Sequence, residues 1–583
     1  MDTFYTTERN VAMLIYLMKQ HGIKKVIASP GTTNITFVAS IQQDSYFEIY
    51  SAADERSAAY MACGLAAESG EAVALSCTGA TASRNYVPGL TEAFYRKLPV
   101  LAVTSTQHMG RIGQLCPQVI DRSAIQNDIA VMSVQAPAIY NDEDEWACNV
   151  KLNTAILALR HRGGGPVHID LATAYSRDFS MKRLPDFRVI RRITGNDGCP
   201  PISAGRVGIF VGAHTEWDER LTHMVDAFCE AYNGVVFCDH TSNYHGKYRI
   251  QYNLICCQPQ YRGRESEMEL LIDMGEMSGA YMRFAPATVW RVNPDGQIRD
   301  TFHKLSYMFD MEEADFFERY VQQAGGAVRD ATYYGECREL FDSIAGRVPE
   351  VPFSNVWMAQ QTIGRIPEGS MLHLGILNTL RSWNFFEAPD SVNCYSNTGG
   401  FGIDGLVSAV VGAALADKDR LHFLVVGDLA FFYDMNVIAN RHVGRNVRIL
   451  LVNNGCGTEF KNYSHFAACF GDRADDFIAA SGHYGKQSRE LVRNYVENLG
   501  YTYLSANTKD EYLKNVECFT DSQLSERPIL FEAFTQPEDE SSALEMMDHI
   551  LASAPTVGGK AKQIAKDMLG EKGVNVLKGL VRR

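Results

Sequence analysis

The segment 421-LHFLVVGDLA-430 joins a run of mostly apolar residues to a glycine and an aspartate. A second segment, 448-RILLVNNG-455, repeats the pattern with two asparagines and a glycine. Each run has the length and composition of a buried strand, and the polar residues follow where the strand would end. Open α/β sheets hold their ligands at the carboxyl ends of parallel strands. The two segments therefore predict a parallel α/β sheet with a ligand site at one edge.

Further apolar runs, separated by helical patterns, occur along the rest of the chain. Val26–Ala28 precedes Ser29-Pro30-Gly31, and Ala72–Cys77 precedes Thr78-Gly79. This alternation predicts the α/β class, with three doubly wound parallel-sheet domains. The predicted domains cover residues 1–180, 200–330 and 350–550, and the polar, proline-containing stretch 175–203 is predicted to be a linker.

The composition is that of a large globular protein with an acidic surface. The 583 residues include 55 Lys and Arg against 69 Asp and Glu, a formal net charge of −14. An acidic chain lacks the basic footprint of a nucleic-acid-binding protein. The 14 cysteines show no framework spacing, and no apolar window is long enough to span a membrane. With Asp2 and Glu8 where a signal peptide would be basic, a cytoplasmic location is predicted.

An acidic and an amide side chain follow the two runs quoted first. Asp428 offers a carboxylate and Asn454 an amide oxygen, and a nearby backbone carbonyl would complete a set of hard oxygen ligands. Such a set suits Mg²⁺ and leaves coordination positions open for phosphate oxygens. Gly427 and Gly455 would let the backbone approach a diphosphate. The alternative for each segment, taken alone, is a strand end followed by a turn with no ligand.

Three more motifs indicate a ligand site. Asp54-Glu55-Arg56-Ser57 opens a helix of small residues, where a lone carboxylate is ordinarily a helix cap. A glycine-rich turn, 396-SNTGGFGIDG-405, opens another helix, and its backbone groups could contact a flat ring. The small-residue turn 78-TGATA-82 follows a predicted strand, with Asn85 shortly after it.

In this order and at these distances, the motifs resemble those of the thiamine-diphosphate-dependent enzymes of the acetohydroxyacid synthase and 2-oxoacid decarboxylase type. The resemblance covers residues 1–550. Within that superfamily the chain most resembles the menaquinone-pathway succinyl-enolpyruvyl-hydroxycyclohexene-carboxylate synthases. It implies a pyrimidine-binding domain, a central domain and a diphosphate-binding domain, in that order. It also implies a homodimer or homotetramer whose sites lie between subunits. No signature for FAD is legible in the central domain.

The resemblance also implies roles for individual residues. Glu55 would contact N1′ of the aminopyrimidine, Ile403 would hold the cofactor bent, and Gln118 would lie near the substrate. Asp428, Asn454 and the carbonyl of Cys456 would bind Mg²⁺. The remaining residues implied to contact thiamine diphosphate are Pro30, Gly79, Asn85, Gly402, Gly427, Leu429 and Ala430.

The chain departs from the menaquinone-pathway synthases at positions that bind substrate carboxylates. The resemblance implies that Thr33 and Thr398 lie at the substrate, where those enzymes carry arginines, and only Arg381 matches the remaining one. Threonine cannot form the bidentate pair that a guanidinium makes with a carboxylate. The acceptor is therefore predicted to differ from isochorismate. Other candidates for binding a carboxylate, each equally explained as a solvated surface charge, are Arg84, Arg111 and Lys461.

Three functions follow from the resemblance. Simple pyruvate-type decarboxylases often protonate the reacting carbon with an adjacent histidine pair, and this chain has no adjacent histidines. That favours a carboligase, in which a 2-oxoacid such as pyruvate or 2-oxoglutarate loses CO₂ and its acyl group is added to a carbonyl or enoate acceptor. The alternatives are a simple 2-oxoacid decarboxylase that releases an aldehyde, and a non-catalytic cofactor-binding scaffold.

The stretch 555–583 differs from the rest of the chain. It is rich in Lys and Arg, with apolar residues between them. The pattern predicts a basic amphipathic helix, which would bind an anionic membrane surface or a partner, or pack on its own acidic body.

Overall fold

The structure is a computed structural model that describes residues 4–215, 217–259, 261, 263–280, 282–483 and 488–552. The predicted basic helix over 555–583 lies outside these residues. None of the helices in the described ranges is both long and apolar enough to cross a membrane.

Nineteen strands lie in the described residues. They are β1 (Lys25–Ala28), β2 (Glu48–Ser51), β3 (Val73–Thr78), β4 (Val100–Thr106), β5 (Met132–Ala136), β6 (Val167–Ala172), β7 (Arg191–Thr194), β8 (Val207–Val211), β9 (Gly234–Cys238), β10 (Arg249–Gln251), β11 (Leu270–Met274), β12 (Thr288–Val292), β13 (Leu305–Asp310), β14 (Met371–Leu374), β15 (Asn393–Tyr395), β16 (His422–Gly427), β17 (Val447–Asn453), β18 (Thr502–Ala506) and β19 (Ile529–Phe534).

Seventeen α-helices lie in the same described residues, the first before β1 and the others between or after the strands. They are α1 (Arg9–Gln20), α2 (Ile35–Ile41), α3 (Glu55–Ser69), α4 (Thr81–Asn85), α5 (Val87–Tyr95), α6 (Asp142–Ala158), α7 (Glu219–Tyr232), α8 (Asn253–Cys256), α9 (Glu313–Ala324), α10 (Thr332–Ala345), α11 (Asn355–Thr362), α12 (Asn378–Trp383), α13 (Leu406–Ala414), α14 (Asp428–Asp434), α15 (Leu491–Asn498), α16 (Lys509–Phe519) and α17 (Pro537–Asp548).

The strands form three parallel sheets flanked by helices, which confirms the predicted fold class. The first sheet has the order β2-β1-β3-β4-β6-β5, and the third has the order β15-β14-β16-β17-β19-β18. In each sheet the strand order reverses beside the strand that comes first in the chain. Crevices for ligands open at such reversals, at the carboxyl ends of the strands.

The chain divides into two compact units, each defined by the contacts within it. Unit 1 comprises the described residues within 1–198 and 289–311, and unit 2 comprises the described residues within 199–288 and 312–583. Unit 1 holds the first sheet and the parallel strands β12, β13 and β7. Unit 2 holds the parallel strands β8 to β11 and all of the third sheet. The predicted domain boundaries at 180, 200, 330, 350 and 550 do not coincide with this division and stay a prediction.

Alternation along the strands places the core of unit 1 on both faces of its first sheet. Val26 of β1 belongs to one apolar cluster with Leu101 and Val103 of β4, whereas Ile27 belongs to another with Val100 and Ala102. Successive side chains of a strand point to opposite faces, so both faces are covered. The near-continuous apolar runs in the sequence follow from this double burial.

One stretch of the sequence was assigned wrongly. Residues 175–203 were predicted to be a linker, but they contain β7, which pairs in parallel with β13. The strand has only four residues, two of them arginines, and none of the four is fully buried. Short, polar strands of this kind lack the apolar signal by which the others were found.

Candidate active site

The predicted site residues fall into two groups, one in each unit. In unit 1 they follow the carboxyl ends of strands β1 to β4 of the first sheet, with Gln118 and Arg111 after β4 and the others after β1, β2 and β3. The register pairs Ala28 with Ser51 and with Ser76, so the segments after β1, β2 and β3 emerge at one edge. Pro30, Glu55 and Gly79 lie in these three segments.

Glu55 is the first residue of α3, and its neighbour caps the helix. The Asp54 side chain accepts a hydrogen bond from the backbone N–H of Arg56, which satisfies one of the free donors at the helix start. Glu55 is thereby left available, half-buried, with its Oε2 3.4 Å from the Asn85 amide nitrogen. The helix cap that the sequence allowed for is therefore supplied by Asp54.

Thr33 lies inside unit 1. It is 1% exposed, and its hydroxyl donates to the backbone carbonyl of Ser105 at 2.6 Å and accepts from the N–H of Gly79 at 3.3 Å. These bonds hold the loops after β1 and β3 to each other and to strand β4. Its predicted contact with substrate stays a prediction.

Gly79 is required by a close approach. A Cβ at this position would lie 2.6 Å from the carbonyl oxygen of Ser105 and 2.7 Å from the Arg122 guanidinium. Any side chain would displace the backbone of β4, so the turn after β3 depends on this glycine.

Gln118, Arg84, Asn85 and Pro30 are exposed in the isolated chain. Gln118 has a positive φ of 61°, an uncommon conformation for a residue with a side chain. The guanidinium of Arg84 donates to the backbone carbonyl of Asp121 at 2.9 Å, which ties α4 to the loop that carries Gln118.

Arg122 and Asp170 were missed by the sequence analysis. They form an ion pair whose side chains are 3% and 2% exposed, and Asp170 also accepts from Thr104. Thr104 in turn contacts Nε2 of His168 at 2.7 Å. Burial and the neighbouring arginines lower the pKa of His168 to about 3, so this histidine is neutral. An arginine in a polar loop gives no sequence signal of burial, so this network could be found only in the structure.

In unit 2, Asp428 and Asn454 lie together as the two strand ends predicted. Asp428 begins α14 immediately after β16, and β17, which ends at Asn453, pairs with β16 in parallel. The Asp428 carboxylate accepts hydrogen bonds from the backbone N–H groups of Leu429 at 2.7 Å, Asn454 at 3.0 Å and Gly455. The carboxylate thus anchors the loop that follows β17.

The Asp428 carboxyl is 4% exposed, and its burial raises the pKa to about 6. Among the described residues no lysine, arginine or histidine forms an ion pair with it, so only backbone N–H dipoles stabilise the charge. A cation at this point would stabilise the carboxylate. Together with the Asn454 amide oxygen and the Cys456 carbonyl, the donor set is hard oxygen, which is compatible with Mg²⁺.

Ile403 packs against the apolar core of unit 2. It is half-buried and packs on the apolar cluster that includes Leu406 and Val407 of α13. Gly402 precedes it, and a Cβ there would meet the Asp404 carboxylate at 2.5 Å. Ala430 is buried and Leu429 half-buried, in the first turn of α14. Thr398 is buried, 5% exposed.

Two buried acids near this site were also missed. Glu532 of β19 accepts from the Asn453 side chain at 2.7 Å and from the Tyr503 hydroxyl at 2.8 Å. Glu540 accepts from the Thr535 hydroxyl at 2.7 Å. Burial, with a smaller contribution from the Asp428 charge, raises the pKa of each to about 7. Glutamates in a strand and a helix look like surface residues in sequence, so periodicity could not reveal them.

Arg381, the predicted carboxylate-binding residue, lines a cavity of about 310 Å³ in unit 2. Its guanidinium forms a bidentate pair with Glu459, at 2.8 and 2.9 Å. Glu459 lies in the 3₁₀-helix Thr458–Lys461, just after the Asn454 loop. Leu377 and Phe401, which line the same cavity, have positive φ values of 67° and 55°. Such strained backbone is concentrated at functional sites.

Comparison with known proteins supports the cofactor thiamine diphosphate, which the sequence resemblance implies. Residues 9–133 match the family described as "Thiamine pyrophosphate enzyme, N-terminal TPP binding domain". Proteins named 2-succinyl-5-enolpyruvyl-6-hydroxy-3-cyclohexene-1-carboxylate synthase are similar over nearly the whole chain. The one from Bacteroides fragilis is 28% identical over 572 residues, which cover 94% of this chain and 100% of that protein. Those from Phocaeicola vulgatus and Desulfotalea psychrophila are 28% and 25% identical over 94% and 91% of this chain, and each is covered to 99%. The first part of unit 1 is thus similar to a thiamine pyrophosphate-binding domain, in a chain whose relatives over nearly its whole length bear the name of one synthase.

Proposed function

We propose that this protein is a thiamine-diphosphate- and Mg²⁺-dependent carboligase. The observation that carries the proposal is the buried Asp428 carboxylate, bound by the Asn454 loop and lacking a cationic partner among the described residues. It lies at the carboxyl edge of the third sheet, in a chain whose residues 9–133 match a thiamine pyrophosphate-binding domain.

In the proposed reaction a 2-oxoacid loses its carboxylate as CO₂, and its acyl carbon forms a new bond to an acceptor. With a carbonyl acceptor, the acceptor oxygen takes up one proton, and the products are CO₂ and a hydroxyketone. Bound thiamine diphosphate supplies the electron sink for this decarboxylation. Asp428, Asn454 and the Cys456 carbonyl would hold Mg²⁺ and orient the diphosphate, and Ile403 would support the bent cofactor.

Glu55 would be the proton-handling residue of the site. A half-buried carboxylate at the first turn of a helix can share a proton with a ring nitrogen, which is the role that the family resemblance implies. Gln118 and Arg84 would lie on the substrate side. As in that family, we propose a homodimer or homotetramer in which Glu55 of one copy serves the Mg²⁺ site of another.

The identity of the acceptor is a separate part of the proposal. The relatives are named as synthases of a cyclohexene carboxylate, which fits an enoate acceptor. Thr33 and Thr398 cannot bind carboxylates as arginines do, and Arg381 is already paired with Glu459. We therefore propose an acceptor other than isochorismate.

Binding of thiamine diphosphate tests the cofactor assignment directly. In calorimetry with Mg²⁺, the wild-type chain is expected to bind the cofactor, and Asp428→Ala to bind it about 100-fold more weakly. Asp417→Ala removes an exposed carboxylate and is the matched control, with unchanged affinity expected. Equal affinity in Asp428→Ala and the wild type would overturn the metal assignment.

A further inference from the structure

The cavity beside Arg381 contains buried hydrogen-bond acceptors that have no donor. Asn462, 4% exposed, lines this cavity, and no described residue donates to its Oδ1. The same holds for Oδ1 of Asn253, which lines the cavity from α8. Buried polar atoms are nearly always paired, so donors from a ligand or from water are required here.

The orientation of Asn462 is fixed by its other end. Its amide nitrogen donates to Oδ1 of Asn378 at 2.8 Å and to Oε2 of Glu459 at 3.3 Å. Both partners are acceptors, so the amide cannot turn over without placing its oxygen against them. The hydrogen bonds of the amide nitrogen therefore fix the position of Oδ1, which remains an unpaired hydrogen-bond acceptor.

The guanidinium of Arg381 is already occupied. Its Nη1 and Nη2 both donate to the Glu459 carboxylate, and Nη1 also donates to Oδ1 of Asn378 at 3.2 Å. Asp548, in the same cavity, adds a second carboxylate, which accepts from the Tyr463 hydroxyl at 2.5 Å. A ligand carboxylate entering here would have to displace Glu459 and would be repelled by two acids.

We propose that this cavity is the acceptor pocket and that it takes a hydroxyl-rich carbonyl compound, whose O–H groups donate to Asn462 and Asn253. The proposal rests on the function proposed above and names the substrate class of that site. Arg283, exposed at the same cavity and without an ion-pair partner among the described residues, leaves room for one anionic group on such a compound. Glu459 acts as a specificity-determining residue, because it removes the arginine that would otherwise select a carboxylate.

Binding without turnover tests the pocket separately from the reaction. Xylitol is a hydroxyl-rich probe that cannot react, and succinate is a carboxylate probe of similar size. By ligand-observed NMR on the full chain with thiamine diphosphate and Mg²⁺, xylitol is expected to bind at least about tenfold more tightly than succinate. Tighter binding of succinate would overturn the proposal even if the reaction class is right.

Two cavity variants and one control variant test whether the probes bind at this cavity. Asn462→Leu removes the acceptor at similar volume and is expected to weaken xylitol binding about tenfold, whereas Asn498→Leu, the same change on the exposed face of α15, is expected to leave it unchanged. Glu459→Gln is expected to tighten succinate binding about tenfold, because Arg381 is released. Unchanged binding of both probes in both cavity variants would overturn the proposal. Circular dichroism of each variant verifies that it folds.

Turnover then separates this inference from the proposed function. Dihydroxyacetone and glyceraldehyde are expected to raise cofactor-dependent CO₂ release from a 2-oxoacid, with a KM raised about tenfold in Asn462→Leu. Release stimulated only by isochorismate would overturn the inference and leave the carboligase standing. A chain that binds xylitol at Asn462 but never thiamine diphosphate would overturn the proposed function and leave only the polyol pocket.

Discussion

At the scale of single residues, the chain offers a matched pair of glycines. A Cβ at Gly79 would come within 2.6 Å of the carbonyl oxygen of Ser105. Gly64 lies at a solvent-exposed position in the middle of α3, and a Cβ there would have no atom within 4 Å apart from its chain neighbours and the backbone of its own helix. Substituting alanine at the two positions therefore distinguishes the effect of a steric clash from the effect of restricting the backbone of the unfolded chain.

We expect Gly79→Ala to lower the free energy of unfolding by about 1 to 3 kcal/mol, because the backbone of β4 must shift. Gly64→Ala should raise it by about 0.5 to 1 kcal/mol, since alanine is the better helix former. Urea denaturation of both variants measures the difference. Equal effects of the same sign would contradict the packing described around Gly79.

Two residue pairs differ in whether the sequence predicts them: Asp428 with Asn454, and Arg381 with Glu459. Asp428 and Asn454 were placed together because strand ends follow from apolar runs, and parallel strands share an edge. The pairing of Arg381 with Glu459 was not anticipated, since a carboxylate six residues past a strand end gives no sign of its partner. Long-range ion pairs depend on the loop path, which no periodicity encodes.

At the scale of elements, Arg448 links a central strand to the end of a helix. It lies on β17, is fully buried, and its guanidinium donates to three backbone carbonyls that follow or end α16, those of Phe519, Asp521 and Gln523. Carbonyls at a helix end lack partners within the helix, and here an arginine supplies them.

Arg448→Met should therefore lower the free energy of unfolding by about 3 to 5 kcal/mol, because buried carbonyls lose their donors. Arg493→Met, on the exposed face of α15, is the matched control with an expected change within about 0.5 kcal/mol. Thermal or urea unfolding of the two variants gives the comparison. A cost below about 1 kcal/mol for Arg448→Met would show that water replaces the guanidinium.

At the scale of the whole molecule, buried histidines make stability depend on pH. His373 of β14 and His422 of β16 lie on neighbouring strands, with ring nitrogens 3.5 Å apart. Burial lowers the pKa of His373 to about 3 and that of His422 to about 4. The unfolded chain binds protons at these rings near pH 6.5, so their contribution to stability is complete above that pH and is lost as the pH falls towards 4.

The variant His373→Phe isolates this contribution from that of the buried acids, whose raised pKa values act in the opposite direction. Between pH 6.5 and 5, the wild type should lose up to about 1.4 kcal/mol more stability per pH unit than the variant. The exposed His442→Asn is the control and should follow the wild type. Identical slopes for wild type and His373→Phe would mean that His373 titrates normally in the fold.

The whole molecule also shows what sequence could not supply. Three parallel sheets followed from apolar runs, but the division into two compact units did not, because contacts between distant segments decide it. Strand β7 was hidden by its polar, four-residue length. Where the sequence alternates clearly between buried strand and helix, the prediction was right; where an element is short or polar, only packing reveals it.

The most direct test of the central claim is CO₂ release from a panel of 2-oxoacids, with thiamine diphosphate and Mg²⁺ present or omitted and with hydroxycarbonyl acceptors added. The account predicts release from at least one acid that requires both cofactors. It also predicts that Glu55→Gln lowers this release by about 100-fold or more while the cofactor still binds. Release that is equal without the cofactors, or that is unchanged in Glu55→Gln, would contradict the account.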